Sequence, residues 1–82
     1  MVKVEQVVEK IRMLQENEDL PSNVNDMLNQ AIEALEDDSG DLSVRLNTVT
    51  SLLDQVSNDP NIAQHTRTDV WNIASMLESV EE

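Results

Sequence analysis

Cysteine, phenylalanine and tyrosine are absent from this 82-residue chain, and its only aromatic residue is one tryptophan. The lack of cysteine excludes disulfides and thiolate metal ligands, which is typical of intracellular proteins, and we predict a cytoplasmic location. Without aromatic rings, aliphatic side chains must build the core, so a chain this short has a small stability margin. No apolar run approaches the length of a membrane span, and the charged stretch MVKVEQVVEK is not an apolar signal segment.

Glycine and histidine are equally scarce, with one of each. A single glycine excludes a phosphate-binding glycine-rich loop and a dinucleotide-binding fingerprint. A single histidine without cysteine excludes a zinc finger and the zinc-binding helix with paired histidines. The sequence therefore predicts no cofactor.

Positive charge is also scarce. The chain has 5 lysines and arginines but 17 aspartates and glutamates, which gives a formal net charge of −12. Nucleic-acid binding depends on neutralising phosphates with basic side chains, so a DNA- or RNA-binding role is disfavoured. The surface suits a basic protein partner or a cation. The simpler explanation is a solvated acidic surface that keeps the protein soluble.

Apolar residues recur at helical spacing in four segments and nowhere alternate with the period of a strand. The pattern predicts an all-α fold of four amphipathic helices, forming a single domain over residues 1–82. The predicted apolar faces are Val4, Val7, Val8, Ile11 and Leu14 in the first helix; Val24, Met27, Leu28, Ala31, Ile32 and Leu35 in the second; Leu42, Leu46, Val49, Leu53 and Val56 in the third; and Val70, Ile73, Ala74, Leu77 and Val80 in the fourth.

Proline, glycine and aspartate mark the predicted helix boundaries. Pro21 is expected to open the second helix at its first position, because that position needs no backbone donor. Gly40 can end the second helix in the left-handed conformation, and Asp41 is the expected N-cap of the third. Asp59 and Pro60 are expected to start the fourth helix.

The two halves of the chain align when one is shifted by 42 positions. Ile11 then meets Leu53, and Leu28 meets Val70. A period near 42 residues is typical of two-helix HEAT-like units, although any two amphipathic hairpins of equal length would align in this way. We therefore predict two packed helical hairpins, either as a four-helix bundle or as a minimal HEAT-like repeat pair.

The only candidate catalytic pair is His65 with Asp69, one helical turn later. An aspartate at this spacing can orient the imidazole as a general base, so a hydrolase or lyase is one alternative function. The pair lacks a nucleophile at a defined position and a set of oxyanion donors. Ordinary residues of a surface helix explain it better, and we predict that the protein is not an enzyme.

The loop between the second and third helices carries Glu36, Asp37, Asp38 and Asp41. A cation held there would make this a cation-responsive acidic protein, which is a second alternative. The simpler interpretation gives Asp41 the role of a helix start and leaves the other carboxylates solvated, since negative charge favours a helix N-terminus.

The tryptophan, Trp71, lies outside the apolar face of the fourth helix, one turn beyond Arg67. The position equivalent to it in the second helix is Asn29, a polar residue. Either Trp71 folds over the edge of the core and is largely buried, or it forms a contact surface with Arg67, because tryptophan and arginine dominate interface hot spots. Arg67 and Trp71 are therefore the candidate interaction surface.

These features favour a small acidic helical module that binds another protein over a catalyst, and the acidic surface suits a basic partner. They also predict a possible homodimer, because burying a further face would stabilise a small core without phenylalanine or tyrosine. A dimer is the commonest form of self-association.

The segments AIEALEDDSGDLSVR and SNDPNIAQHTRTDVWNIASMLESVEE resemble the small archaeal proteins grouped as uncharacterised protein family 0147. The resemblance runs from about Leu20 to the C-terminus and is most specific from Asp59 through Trp71 to Leu77. It implies a helical archaeal protein without an assigned activity, and it implies no catalytic or binding residues.

Overall fold

The computed structural model describes residues 2–80 and contains four α-helices in this range: α1 (Val4–Asn17), α2 (Ser22–Glu36), α3 (Leu42–Ser57) and α4 (Gln64–Leu77). The predicted all-α fold is confirmed. No helix in the described range combines the length and the apolar character needed to cross a membrane. The molecule measures 33 × 22 × 20 Å along its principal axes.

Each helix packs against two neighbours, in the ring α1–α2–α3–α4–α1. The Cα atoms of the diagonal pairs, α1 with α3 and α2 with α4, stay more than 8 Å apart. A HEAT-like pair would stack corresponding helices on each other, which are the diagonal pairs here. The fold is therefore a four-helix bundle, whose short loops make consecutive helices antiparallel.

The core is built entirely from aliphatic side chains of the four predicted faces and one loop residue. Most predicted core positions are buried. Leu42 is only partly buried, and the partly buried positions that pack against the core are Val4, Met27, Leu46, Ala74 and Val80. The loop residue Ile62 is buried without having been predicted, because it lies outside any helical pattern. The buried apolar residues are Val7, Val8, Ile11, Leu14, Val24, Leu28, Ala31, Ile32, Leu35, Val49, Leu53, Val56, Ile62, Val70, Ile73 and Leu77.

The start of α3 agrees with the prediction, and the ends of α2 differ from it slightly. Asp41 is the N-cap of α3, and its Oδ1 accepts the Ser43 N–H at 2.9 Å. Pro21 is the N-cap of α2 and not its first residue. Gly40 does adopt a positive φ of 89°, but α2 has already ended at Glu36, so the glycine turns the loop and does not cap the helix.

The predicted start of α4 at Asp59 and Pro60 is wrong, because α4 begins at Gln64. Residues 58–63 instead form a loop in which Asp59 Oδ1 accepts the Asn61 N–H at 2.8 Å. This side-chain bond holds a turn that competes with helix formation. Burial of Ile62 supplies a further reason for the loop, since its side chain reaches the core from outside a helix.

The two ends of the described chain meet at one end of the bundle. The Val2 N–H donates to the Ser79 carbonyl at 3.1 Å, and Val2 forms an isolated bridge with Val80. The α2–α3 loop lies at this same end, while the α1–α2 and α3–α4 loops lie together at the other, where Asn23 donates to Asp59. The bridge is a single pairing and not a strand.

The 42-residue shift relates positions that play the same part in the two hairpins. Aligned core residues such as Ile11 and Leu53 are both buried. The shift also relates a contact between the helices of each hairpin, with the donor and acceptor positions exchanged. Gln15 donates to Asn25 in the first hairpin, whereas in the second Arg67, equivalent to Asn25, donates to the carbonyl of Ser57, equivalent to Gln15. The two helix contacts that join one hairpin to the other differ in extent. The α2–α3 contact is the most extensive in the bundle, and the α1–α4 contact is the least extensive.

Candidate functional site

Trp71 exposes 51% of its surface, although Val70 beside it in α4 is completely buried. Trp71 thus lies outside the apolar face of α4, as its position in the helical pattern indicates. Tryptophan is usually largely buried, so an exposed one requires a specific explanation. Of the described residues, only Met13, Val44 and Trp71 are exposed large apolar side chains.

Arg67 is turned toward the end of α3. Its Nε donates to the Ser57 carbonyl at 2.7 Å, one terminal nitrogen donates to the Asp59 carbonyl at 3.0 Å, and the other to Gln64 Oε1 at 3.0 Å. Carbonyls at the end of a helix lack partners within the helix, and charged donors bind them well. Arg67 therefore fixes the start of α4, and with it the position of Trp71, against the end of α3.

A shallow groove of about 440 Å³ runs between α3 and α4 on the Trp71 side. Ala74 and Ser75 line it, and they are the neighbours of Trp71 on the helix surface, three and four residues later. The ionisable residues among its lining are Asp54 and Glu78. Trp71 is not itself a lining residue of this groove and lies one helical turn before Ala74 and Ser75 on the same flank of α4.

Most of the basic side chains contact other groups of the protein itself. Arg67 is engaged by carbonyls, and Arg45 donates to the Leu35 carbonyl at 3.4 Å. Arg12 pairs with Glu36 at 3.4 Å on an open part of the surface. Three of the 5 basic side chains are thus committed to the molecule itself, against 17 acidic ones. A surface of this kind attracts cationic groups.

His65 and Asp69 are not brought together as a pair among residues 2–80. His65 Nε2 lies 2.6 Å from Glu18 Oε1, and the buried Thr66 hydroxyl donates to the same oxygen at 2.6 Å. Asp69 lies on the wall of a second groove, between α1 and α4. Glu18 therefore joins the end of α1 to the start of α4. No sequence pattern indicated this contact, because His65 and Thr66 lie 47 and 48 positions after Glu18.

Two carboxylates of the acidic α2–α3 loop accept hydrogen bonds from serines two positions later in the chain. Asp37 Oδ1 accepts the hydroxyl and the N–H of Ser39, and Asp41 Oδ1 accepts those of Ser43. The described residues contain no group of three or more histidine or acidic side chains arranged to hold a metal ion. The structure gives Asp41 the helix-start role that its sequence position predicted.

Three aspartates have a pKa below the ordinary value of 3.8 because they accept hydrogen bonds in their ionised form. The Ser39 hydroxyl lowers the pKa of Asp37, the Ser43 hydroxyl that of Asp41, and the Asn61 N–H that of Asp59. A lowered folded-state pKa contributes stability that is present above the unfolded value and is lost as the pH falls through the folded value.

We therefore expect the melting temperature to fall steeply below about pH 4. In the triple variant Asp37→Asn, Asp41→Asn and Asp59→Asn, these three groups no longer titrate, while asparagine still accepts hydrogen bonds and caps α3. The triple variant should lose less stability than the unmodified protein between neutral pH and about pH 3. Thermal melts over that range test this, and superimposable acid profiles of the two proteins would contradict it.

The bundle, its acidic surface and its exposed tryptophan define a small acidic helical-bundle protein. Residues 1–80 match the Uncharacterised protein family (UPF0147), and the chain belongs to this family. The match extends further toward the N-terminus than the segment after Leu20 that carries the resemblance. The family is uncharacterised, so membership assigns the chain no activity.

Relatives and solved structures agree with this assignment. The UPF0147 protein of Methanothermobacter thermautotrophicus is 43% identical over 76 residues, covering 93% of this chain and 74% of the relative. A crystal structure of a UPF0147 protein from Thermoplasma acidophilum has a TM-score of 0.83 at 33% identity, covering 92% of this chain and 88% of that one. The crystal structure of MMP1188, a protein of unknown function, has a TM-score of 0.85 at 32% identity and covers 96% and 90%.

Proposed function

We propose that the protein is an interaction module that binds a basic segment of a partner protein at Trp71 and the adjoining α3–α4 groove. The observation that carries the proposal is the half-exposed Trp71, one helical turn before Ala74 and Ser75, which line a groove whose ionisable lining residues are Asp54 and Glu78. A large aromatic side chain supplies apolar contact area, and carboxylates beside it favour a cationic partner. Lysine and arginine also stack favourably on a tryptophan face.

Arg67 takes part as a positioning residue. Its three hydrogen bonds to Ser57, Asp59 and Gln64 fix the start of α4 relative to α3, and these helices form the two walls of the groove. A preformed surface loses less conformational freedom on binding than a mobile one. The predicted pair of Arg67 and Trp71 thus divides into a residue that holds the surface and a residue that contacts the partner.

The test uses a helical peptide rich in leucine and lysine as the probe, and a matched peptide with glutamate in place of lysine. Because Trp71 is the only tryptophan, its intrinsic fluorescence reports directly on binding at this surface. The lysine peptide should change the emission and should bind more weakly as salt rises, whereas the glutamate peptide should not bind. Equal binding of both peptides would overturn the proposal.

The substitution Trp71→Ala should weaken binding of the lysine peptide by about tenfold or more, measured by calorimetry. It should change the free energy of unfolding by no more than about 1 kcal/mol, because half of the side chain is already in water. Val44→Ala is the matched control, since Val44 is a similarly exposed apolar residue that does not line the α3–α4 groove. A loss of several kcal/mol for Trp71→Ala would instead make Trp71 part of the core.

A further inference from the structure

The groove between α1 and α4 is a seam that the bundle leaves open. It has a volume of about 290 Å³, with Leu14 and Ile73 at its floor and the half-exposed Met13 and the partly buried Met76 at its sides. Lys10, Asn17, Glu18, Asp69 and Asn72 complete its lining. Trp71 does not line this groove and lies on the other flank of α4.

The 42-residue shift relates this open α1–α4 seam to a second helix contact that is well packed, so the residues of the two can be compared. The seam equivalent to α1–α4 is α3–α2, the most extensive helix contact in the molecule. In that contact Leu52 stands where the open seam has Lys10, and Met27 stands where it has Asp69. Leu52 and Met27 both pack against the core. Charged side chains on the α1–α4 seam thus replace apolar ones that close the equivalent seam.

The charges along the open seam have opposite signs at its two ends. Lys10 lies one turn before Leu14 on α1, and Glu18, the C-cap that follows α1, lies about one turn after it, so the two are roughly 12 Å apart along the helix axis. Asp69 lies three to four residues beyond His65 and Thr66, the α4 residues that Glu18 contacts, so it stands about 5 Å along α4 from Glu18, toward the middle of the groove. One end of the groove is therefore positive and the other negative.

We propose that this groove is occupied by the same groove of a second copy of the chain, in a two-fold symmetric dimer with antiparallel α1 helices. A two-fold axis beside Leu14 exchanges the ends of the groove, so Lys10 of each copy faces Glu18 of the other, and Asp69 of that other copy lies within about one helical turn of the same contact. An isologous interface requires this self-complementarity, and charges of opposite sign at equal distances from the axis provide it.

The apolar middle of the groove fits the same arrangement. Met13 of each copy enters the groove of the other and contacts the floor formed by Leu14 and Ile73. Methionine adapts its shape to irregular apolar surfaces and is frequent at interface cores.

Sedimentation velocity over a concentration series tests the dimer. The unmodified protein should be dimeric at high micromolar concentration, and the association should strengthen from low to moderate salt, because each copy carries a net charge of −12. Met13→Glu should raise the dissociation constant by about tenfold or more. Val44→Glu, which adds the same charge at an exposed apolar residue outside the groove, should leave it within about threefold of that of the unmodified protein.

A charge exchange tests the antiparallel register. Lys10→Glu should weaken the dimer more than Lys3→Glu, which changes the net charge equally outside the groove, and adding Asp69→Lys to Lys10→Glu should restore association. Circular dichroism checks that each variant keeps its helices. A monomeric unmodified protein, equal effects of Met13→Glu and Val44→Glu, or no recovery in the double variant would each overturn the proposal. Trp71→Ala should dimerise normally, so this result is independent of the basic-partner site.

Discussion

Replacement of Arg67 by alanine is expected to lower the free energy of unfolding by about 3 kcal/mol and the melting temperature by more than about 10 °C. The guanidinium donates to two backbone carbonyls at 2.7 and 3.0 Å and to Gln64 at 3.0 Å, and the side chain is partly buried. Its removal leaves carbonyls at the end of α3 without their charged donor. A chain of this length has about 4–12 kcal/mol of total stability, so the loss is a large fraction.

Two control substitutions separate this effect from a general loss of positive charge. Arg12→Ala removes the same side chain from an exposed ion pair with Glu36, in which both partners expose more than half of their side chains, and should cost less than about 1 kcal/mol. Arg67→Lys keeps the charge but cannot reproduce three donors in one plane, so it should recover only part of the loss. If Arg67→Ala and Arg12→Ala destabilise equally in urea unfolding, Arg67 does not hold the α3–α4 junction.

Leu28→Ala is expected to lower the free energy of unfolding by about 3–4 kcal/mol. Leu28 is completely buried in α2, the helix that packs most extensively against α3. The cost combines the lost apolar burial with the cavity left behind, and a core without aromatic rings has no large neighbour to fill that space. The variant should therefore keep only a small margin of stability at room temperature.

Met13→Ala is the matched control, since it also shortens an apolar helix residue. Met13 exposes 50% of its surface, so the substitution should cost less than about 1 kcal/mol. Urea unfolding of both variants at concentrations where the protein is monomeric gives the comparison. Equal costs at the two positions would show that the bundle interior tolerates loss of volume as readily as its surface.

The two proposed surfaces lie on opposite flanks of α4 and do not compete for the same residues. Trp71 and the α3–α4 groove face one way, while Asp69 and Met76 line the α1–α4 groove. A dimer through the α1–α4 groove would therefore leave both copies of the Trp71 surface accessible. Two linked copies of a weak site raise the effective affinity for a partner with two basic segments.

The sequence determined the local structure because helix formation and burial follow a repeating pattern within each segment. The spacing of residues such as Ile11, Leu28 and Leu53 predicted four helices and most of the core. Asp41 could be predicted as an N-cap because helix capping is a local interaction. Its side chain accepts the N–H of Ser43, only two residues away. The position of Trp71 outside the apolar face was also visible in the sequence, but its exposure was not, because a tryptophan at that position could also fold over the edge of the core.

Only the tertiary structure decided which distant residues meet. The helices contact each other in a closed ring, which identifies a four-helix bundle and not a HEAT-like pair. Helical periodicity within each segment cannot distinguish these two arrangements. Glu18 joins His65 and Thr66 across 47 and 48 positions, and Arg67 turns to the end of α3 and not to Trp71. The start of α4 at Gln64 depends on the same contacts, since the carbonyls bound by Arg67 and the core site of Ile62 exist only in the folded bundle. Periodicity reports the face of each helix, whereas the partner of that face is set by how all four pack together.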